Sequence, residues 1–81
     1  MEEFLEYVLR QLIDYPDEMV LTRVESGRKI IFNLQLRQSD VGKVIGKHGH
    51  TIAAIRNLLN AAAQRHNQRA TLQILEEKQA D

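Results

Sequence analysis

"VGKVIGKHGHTIAAIRNLL", Val41 to Leu59, places three of the chain's four glycines, Gly42, Gly46 and Gly49, inside eight residues. Glycine weakens a helix by roughly 0.5–1 kcal/mol relative to alanine, yet the residues on both sides carry helical periodicity. A short helix is predicted from Asp40 to about Ile45, with Ser39 as N-cap and Val41, Val44 and Ile45 on one side. A longer helix is predicted from about His50 to Arg65. Ile52, Ile55, Leu59 and Ala62 form its apolar stripe, flanked by Leu58 and Ala63. The stretch therefore reads as two helices around a G-x-x-G turn holding Lys47 and His48.

Towards the N-terminus, Phe4, Leu5, Val8, Leu9, Leu12 and Ile13 recur as the apolar face of an amphipathic helix, with Glu2, Glu3 and Glu6 in its first turns. Its polar face is acidic, which favours core packing over a membrane-surface helix. Pro16 ends it. "MVLTRVES" and "RKIIFNLQLR" read as two strands around an "SGR" turn, with Ile30, Phe32, Leu34 and Leu36 alternating toward a core. Beyond the long helix, "ATLQIL" alternates Leu72 and Ile74 against Thr71 and Gln73 as a last strand. The order is helix, strand, strand, helix, helix, strand. A hairpin pairs the first two strands, and a helical crossover makes the last two parallel. The expected architecture is α+β, a three-stranded mixed sheet with three helices on one face.

At 81 residues the chain is one domain, predicted over residues 1–76 with a polar tail at 77–81. It has no cysteine, so disulfide frameworks and thiolate zinc sites are excluded. The acidic N-terminus is unlike a secretory signal and no apolar run reaches membrane-spanning length, so a soluble cytoplasmic protein without membrane insertion is expected. Formal net charge is zero, but the charges are sorted. Residues 1–25 carry seven acids and two bases, whereas residues 26–75 carry eight bases against Asp40 alone. That asymmetry fits a local anion-binding surface and equally fits bases on solvated faces.

The glycine turn admits four readings. A P-loop needs one more residue between its glycines and a hydroxyl where His48 stands. A dinucleotide-binding fingerprint needs a preceding strand, and here a helix precedes. His48, His50 and His66 lack a metal-site spacing, and no nucleophile, base or paired acid is arranged for catalysis, so no metal, no cofactor and no enzyme are expected. The fourth reading uses the backbone. Two glycines without Cβ atoms let a phosphate chain approach, the next helix offers free N–H groups, and Lys47 adds a cation. G-x-x-G alone is cheap: glycine usage of about 7% gives roughly 0.4 chance matches per 80 residues. The context is more specific, with "VIG" before it, a base inside it, Ile52 after it and a helix on each side.

With those residues in view, the run resembles the signature of KH domains, single-stranded nucleic-acid binders whose G-x-x-G loop clamps about four nucleotides. The extra helix and strand before the minimal unit look like the bacterial type II arrangement. The whole chain, including "YPDE" and "IGKHGHTIAAIRNLLNAAA", is similar to the small bacterial single-KH proteins of the KhpA (YlqC) family. The resemblance implies single-stranded RNA binding in the cytoplasm, homodimers, and heterodimers with a larger KH protein of the Jag (EloR, KhpB) type. It also implies roles in RNA handling, as an RNA chaperone, and in cell elongation, division and wall biogenesis.

Carried over by position, it marks Gly46, Lys47, His48 and Gly49 as the phosphate-contacting loop, and Gly42, Lys43 and Ile45 as groove wall. Arg56 would reach phosphate from the second helix, and Arg28, Lys29 and Arg37 are peripheral candidates. Ile52 and Ile55 would support the groove floor, although plain core packing explains them as well. Leu58, Ala61 and Ala62 supply more small apolar surface than one helix face needs, and are the candidate dimer interface, with ordinary packing on the sheet as the alternative. A protein-interaction module of the same fold is the rival to RNA binding.

Overall fold

The computed structural model describes residues 1–75; the polar tail expected at 77–81 and residue 76 lie outside the described residues. The order is α1 (Glu2–Leu12), a 3₁₀ turn at Pro16–Glu18, β1 (Val20–Ser26), β2 (Lys29–Gln35), α2 (Gln38–Ile45), a turn at Lys47–Gly49, α3 (His50–Gln64) and β3 (Arg69–Ile74). The sheet runs β1-β2-β3, β1 antiparallel and β3 parallel to β2. It is the α+β arrangement expected of a type II KH domain, three helices packed on a mixed three-stranded sheet.

Register follows from alternation. Ile30, Phe32 and Leu34 are buried on the helix face of β2, paired with Ala70, Leu72 and Ile74 of β3. Leu5 and Leu9 of α1, Val44 of α2, and Ile52, Ile55, Leu59 and Ala63 of α3 close the same core. Phe4, expected on the apolar face of α1, is exposed.

Two helix details differ from the sequence expectation. Ser39 does not cap α2: the helix begins at Gln38 with Arg37 at its N-cap, and the Asp40 N–H bonds the Arg37 carbonyl at 2.8 Å. In α3, Ala63 is buried while Ala62 is half-buried and Leu58 is 57% exposed. Ile52, Ile55, Leu59 and Ala63 follow a spacing of three, four and four, which keeps one side at 3.6 residues per turn, and Ala62 falls off that line. α3 ends with Asn67 in the left-handed region (φ 57°). There the Gln68 N–H bonds the Ala63 carbonyl and the Asn67 N–H the Gln64 carbonyl, each at 3.0 Å, a Schellman closure.

Asp40 is the single buried charged side chain among the described residues. Its carboxylate accepts the N–H of Asp14 (3.1 Å) and of Tyr15 (3.0 Å), tying α2 to the segment that leaves α1. Burial pushes this carboxyl up, but the two N–H donors and Lys43 outweigh burial and hold it below the usual carboxylate value.

Candidate nucleic-acid interface

The glycine turn is built by backbone conformation. α2 closes when the Gly46 N–H bonds the Gly42 carbonyl at 2.9 Å. Gly46 then adopts φ 77°, ψ 175°, a region essentially restricted to glycine. A Cβ there would overlap the Thr51 side chain, 2.5 Å from the Thr51 Cβ and 3.0 Å from its nitrogen. Gly49 has φ 73° and open space around it, so its requirement is conformational alone. Between them Lys47 keeps a negative φ and His48 turns left-handed at φ 57°, ψ 23°. The Gly49 N–H returns to the Gly46 carbonyl at 3.1 Å and the His50 N–H to the Lys47 carbonyl, so the backbone donors the turn leaves for an anion are those of Lys47 and His48. The Lys47 and His48 side chains are exposed, and the His48 and His50 rings lie 5.8 Å apart.

The sequence candidates on α2 separate. Lys43 points toward the end of α1, where its ammonium meets Asp14 at 2.7 Å and Asp40 at 3.7 Å. The hydrogen bond to Asp14 raises its pKa. Ile45, two residues and about 200° further round the helix, is 36% exposed beside the glycine turn. Gly42 is exposed, with nothing within 4 Å of an added Cβ. Arg37 is engaged elsewhere: its guanidinium lies 4.1 Å from the Tyr15 ring centroid and 2.8 Å from Glu18, which raises its pKa.

α3 runs back along the free edge of β3, and helical phase gives it two exposed flanks. The flank beside β3 carries Ala53, Arg56, Asn57 and Asn60. The Arg56 Nε donates to the Leu72 carbonyl at 2.9 Å, and the Asn60 Oδ1 accepts the Ala70 N–H at 3.4 Å. With its Nε fixed, Arg56 keeps its two terminal nitrogens for an anion. Nearer the glycine turn the same flank carries the small Ala53, one turn before Arg56 and so level with the end of β3. The opposite flank and outer crest carry Leu58, Ala61 and Ala62. The structure thus keeps the candidate groove and the candidate interface on different sides of one helix.

Ion pairing sorts the bases further. Arg10, Arg23, Arg37 and Lys43 pair with acids. Among the described residues, Arg28, Lys29, Lys47, Arg56, Arg65 and Arg69 have no acid within 4.0 Å. Lys29, Arg56 and Arg69 line one open cavity of about 370 Å³ with Asn57, Asn60 and Thr71. Arg28 lies apart from the glycine turn, in a second cavity of about 260 Å³. Sequence reasoning passed over Thr51, Asn60 and Arg69. Only Arg69 left a signal, as one of the many bases after residue 25. The roles of Thr51 and Asn60 come from the glycine turn folding over α3 and from the strand edge beside it.

A family model described as KhpA/KhpB, KH domain, matches residues 2–74. RNA-binding protein KhpA of Chlamydia pneumoniae is 46% identical over 78 residues, 96% of this chain and 100% of the relative. The protein of the same name from Borreliella burgdorferi is 42% identical over 74 residues, 91% of this chain and 90% of the relative. That of Clostridium acetobutylicum is 39% identical over 75 residues, 93% of this chain and 100% of the relative. This is not an enzyme family. With a family match across the core and relatives aligned over nearly its whole length, the chain belongs to the KhpA/KhpB KH-domain family.

Proposed function

We propose that this chain is a cytoplasmic single-stranded RNA-binding protein whose Gly46–Gly49 turn holds the sugar-phosphate backbone. The observation that carries the reading is the turn itself: two positive-φ glycines around exposed Lys47 and His48. Bases would lie over Ala53, between Ile45 and Ile74, with Arg56 at the far end. Phe32 is buried, so stacking on it is excluded and base contact is by van der Waals packing and edge hydrogen bonds. Engagement of about three phosphates gives a salt slope near −2 for a single strand, which describes a weak, loosely selective monomer. The relatives named RNA-binding protein KhpA support the ligand class.

The working form is a dimer, whose two grooves raise apparent affinity when one RNA spans both. Leu58, Ala61 and Ala62 form the pairing surface, for a second copy or for the larger multidomain KH protein of the Jag type. Leu58, 57% exposed on the flank away from β3, is the observation behind this second activity. One domain over residues 1–76, post-transcriptional regulation and a part in cell elongation and division complete the proposal.

The double change Lys47→Asp with His48→Asp reverses the loop charge and keeps both glycines. RNA binding in low salt should be lost while thermal unfolding stays cooperative. Binding that survives the change places the site elsewhere.

A further inference from the structure

At the end of the domain opposite the glycine turn, the β1–β2 turn meets the loop between α3 and β3. The Arg69 N–H donates to the Arg28 carbonyl at 2.8 Å, fixing the two segments together. Arg28 and Arg69 line a cavity of about 260 Å³ with Gln64, Asn67 and Gln68. The Schellman closure at Asn67 holds the loop in shape. No acid lies within 4.0 Å of either arginine among the described residues. Among the described residues no aromatic or large apolar side chain lines the cavity, so they offer charge and amide donors and no surface for a base.

We propose that this surface is an accessory phosphate site for the same RNA strand, taking the backbone beyond the nucleotides held at the glycine turn. The proposal rests on the RNA reading above. Arg69 lines both this cavity and the one containing Lys29 and Arg56, so cationic surface is continuous from the middle of α3 to its end. The 15 residues of α3 span about 22 Å. A stacked strand advancing about 3.4 Å per phosphate covers that length in roughly six nucleotides. A four-nucleotide RNA at the turn therefore stops short of Arg28, and a ten-nucleotide RNA reaches it.

The test is titration of the full chain with random-sequence RNA of four and of ten nucleotides, followed by NMR at several salt concentrations. In the variant Arg28→Gln, Arg69→Gln, the four-mer should bind within twofold of wild type. The ten-mer should bind about five- to thirtyfold more weakly at 0.1 M salt, with a salt slope shallower by about 1.4. Equal loss for both lengths, no loss for the ten-mer, or a wild type that binds both lengths alike overturns the proposal. Arg28→Gln alone, in an exposed turn, carries the same test at about half of the slope change should the double variant melt early. Failure of the RNA reading is distinguishable. Reversing Lys47 and His48 would then leave the four-mer unaffected, whatever the arginines do.

Discussion

Replacing Gly42, Gly46 and Gly49 by alanine one at a time separates three reasons for a glycine. Gly42 sits inside α2 with open space where a Cβ would go. Alanine there gains about 0.5–1 kcal/mol of helix stability, a rise in Tm of about 2–8 °C for a domain of this size. Gly49→Ala forces a left-handed alanine into open space and costs about 1–2 kcal/mol. Gly46→Ala adds a collision with Thr51 to a glycine-only conformation. Strain of about 1–3 kcal/mol and overpacking of about 1–3 kcal/mol sum to roughly 2–6, a large part of a stability on the order of 5–15 kcal/mol. Thr51→Ala should not rescue it, because the Thr51 Cβ itself lies 2.5 Å from the added methyl. Urea unfolding followed by circular dichroism gives the order Gly42→Ala, wild type, Gly49→Ala, Gly46→Ala. Equal costs at Gly46 and Gly49 would refute the packing of Thr51 under the turn, and destabilisation by Gly42→Ala would refute its place in an unobstructed helix. The stable Gly42→Ala protein then tests the groove wall directly: if RNA affinity falls tenfold while stability rises, the bare Cα at 42 faces ligand.

Asp40→Asn should destabilise the protein at neutral pH, since the amide keeps one acceptor and sets an NH₂ against a backbone donor. The folded-state carboxyl titrates below its ordinary value of 3.8. Its contribution is therefore complete above that value and is lost as pH falls through the lower folded value. The gap between wild type and Asp40→Asn in urea midpoint should be constant from pH 5 to 7 and shrink below pH 4; a gap that persists in acid would mean the charge is immaterial. Leu58→Asp changes an exposed side chain, so monomer stability should move by no more than about 0.5 kcal/mol. Sedimentation velocity should show loss of self-association with four-mer binding intact, and an unchanged sedimentation profile would move the interface off this flank.

Ile30, Phe32 and Leu34 could be placed from the sequence because period-two alternation in a strand leaves one solution for a sheet covered on one face. The glycine turn was visible because three glycines interrupt two apolar periodicities. Ser39 was misplaced as a cap because a short polar residue before a helix is a local signal, whereas the start of α2 is set by Arg37 and by Asp40 reaching back to Asp14 and Tyr15. The phase of α3 slipped by one position at Ala62 and Ala63, where an alanine run gives periodicity little amplitude. Charge was the least legible feature of the candidate site. Lys43, Lys47 and Arg56 look alike in a sequence, and only tertiary contact shows that Lys43 is bound to acids while, among the described residues, the other two are not.

β3 is an edge strand, and residues 70, 72 and 74 turn their backbone groups outward while their neighbours pair with β2. Asn60 occupies the Ala70 N–H and Arg56 the Leu72 carbonyl. A visiting polypeptide strand needs an uninterrupted ladder of donors and acceptors, and finds this one broken at two successive outward positions. A nucleobase needs only one or two such groups. The same two side chains that keep the edge from recruiting other chains into a growing sheet leave it able to meet a partner that bonds one rung at a time.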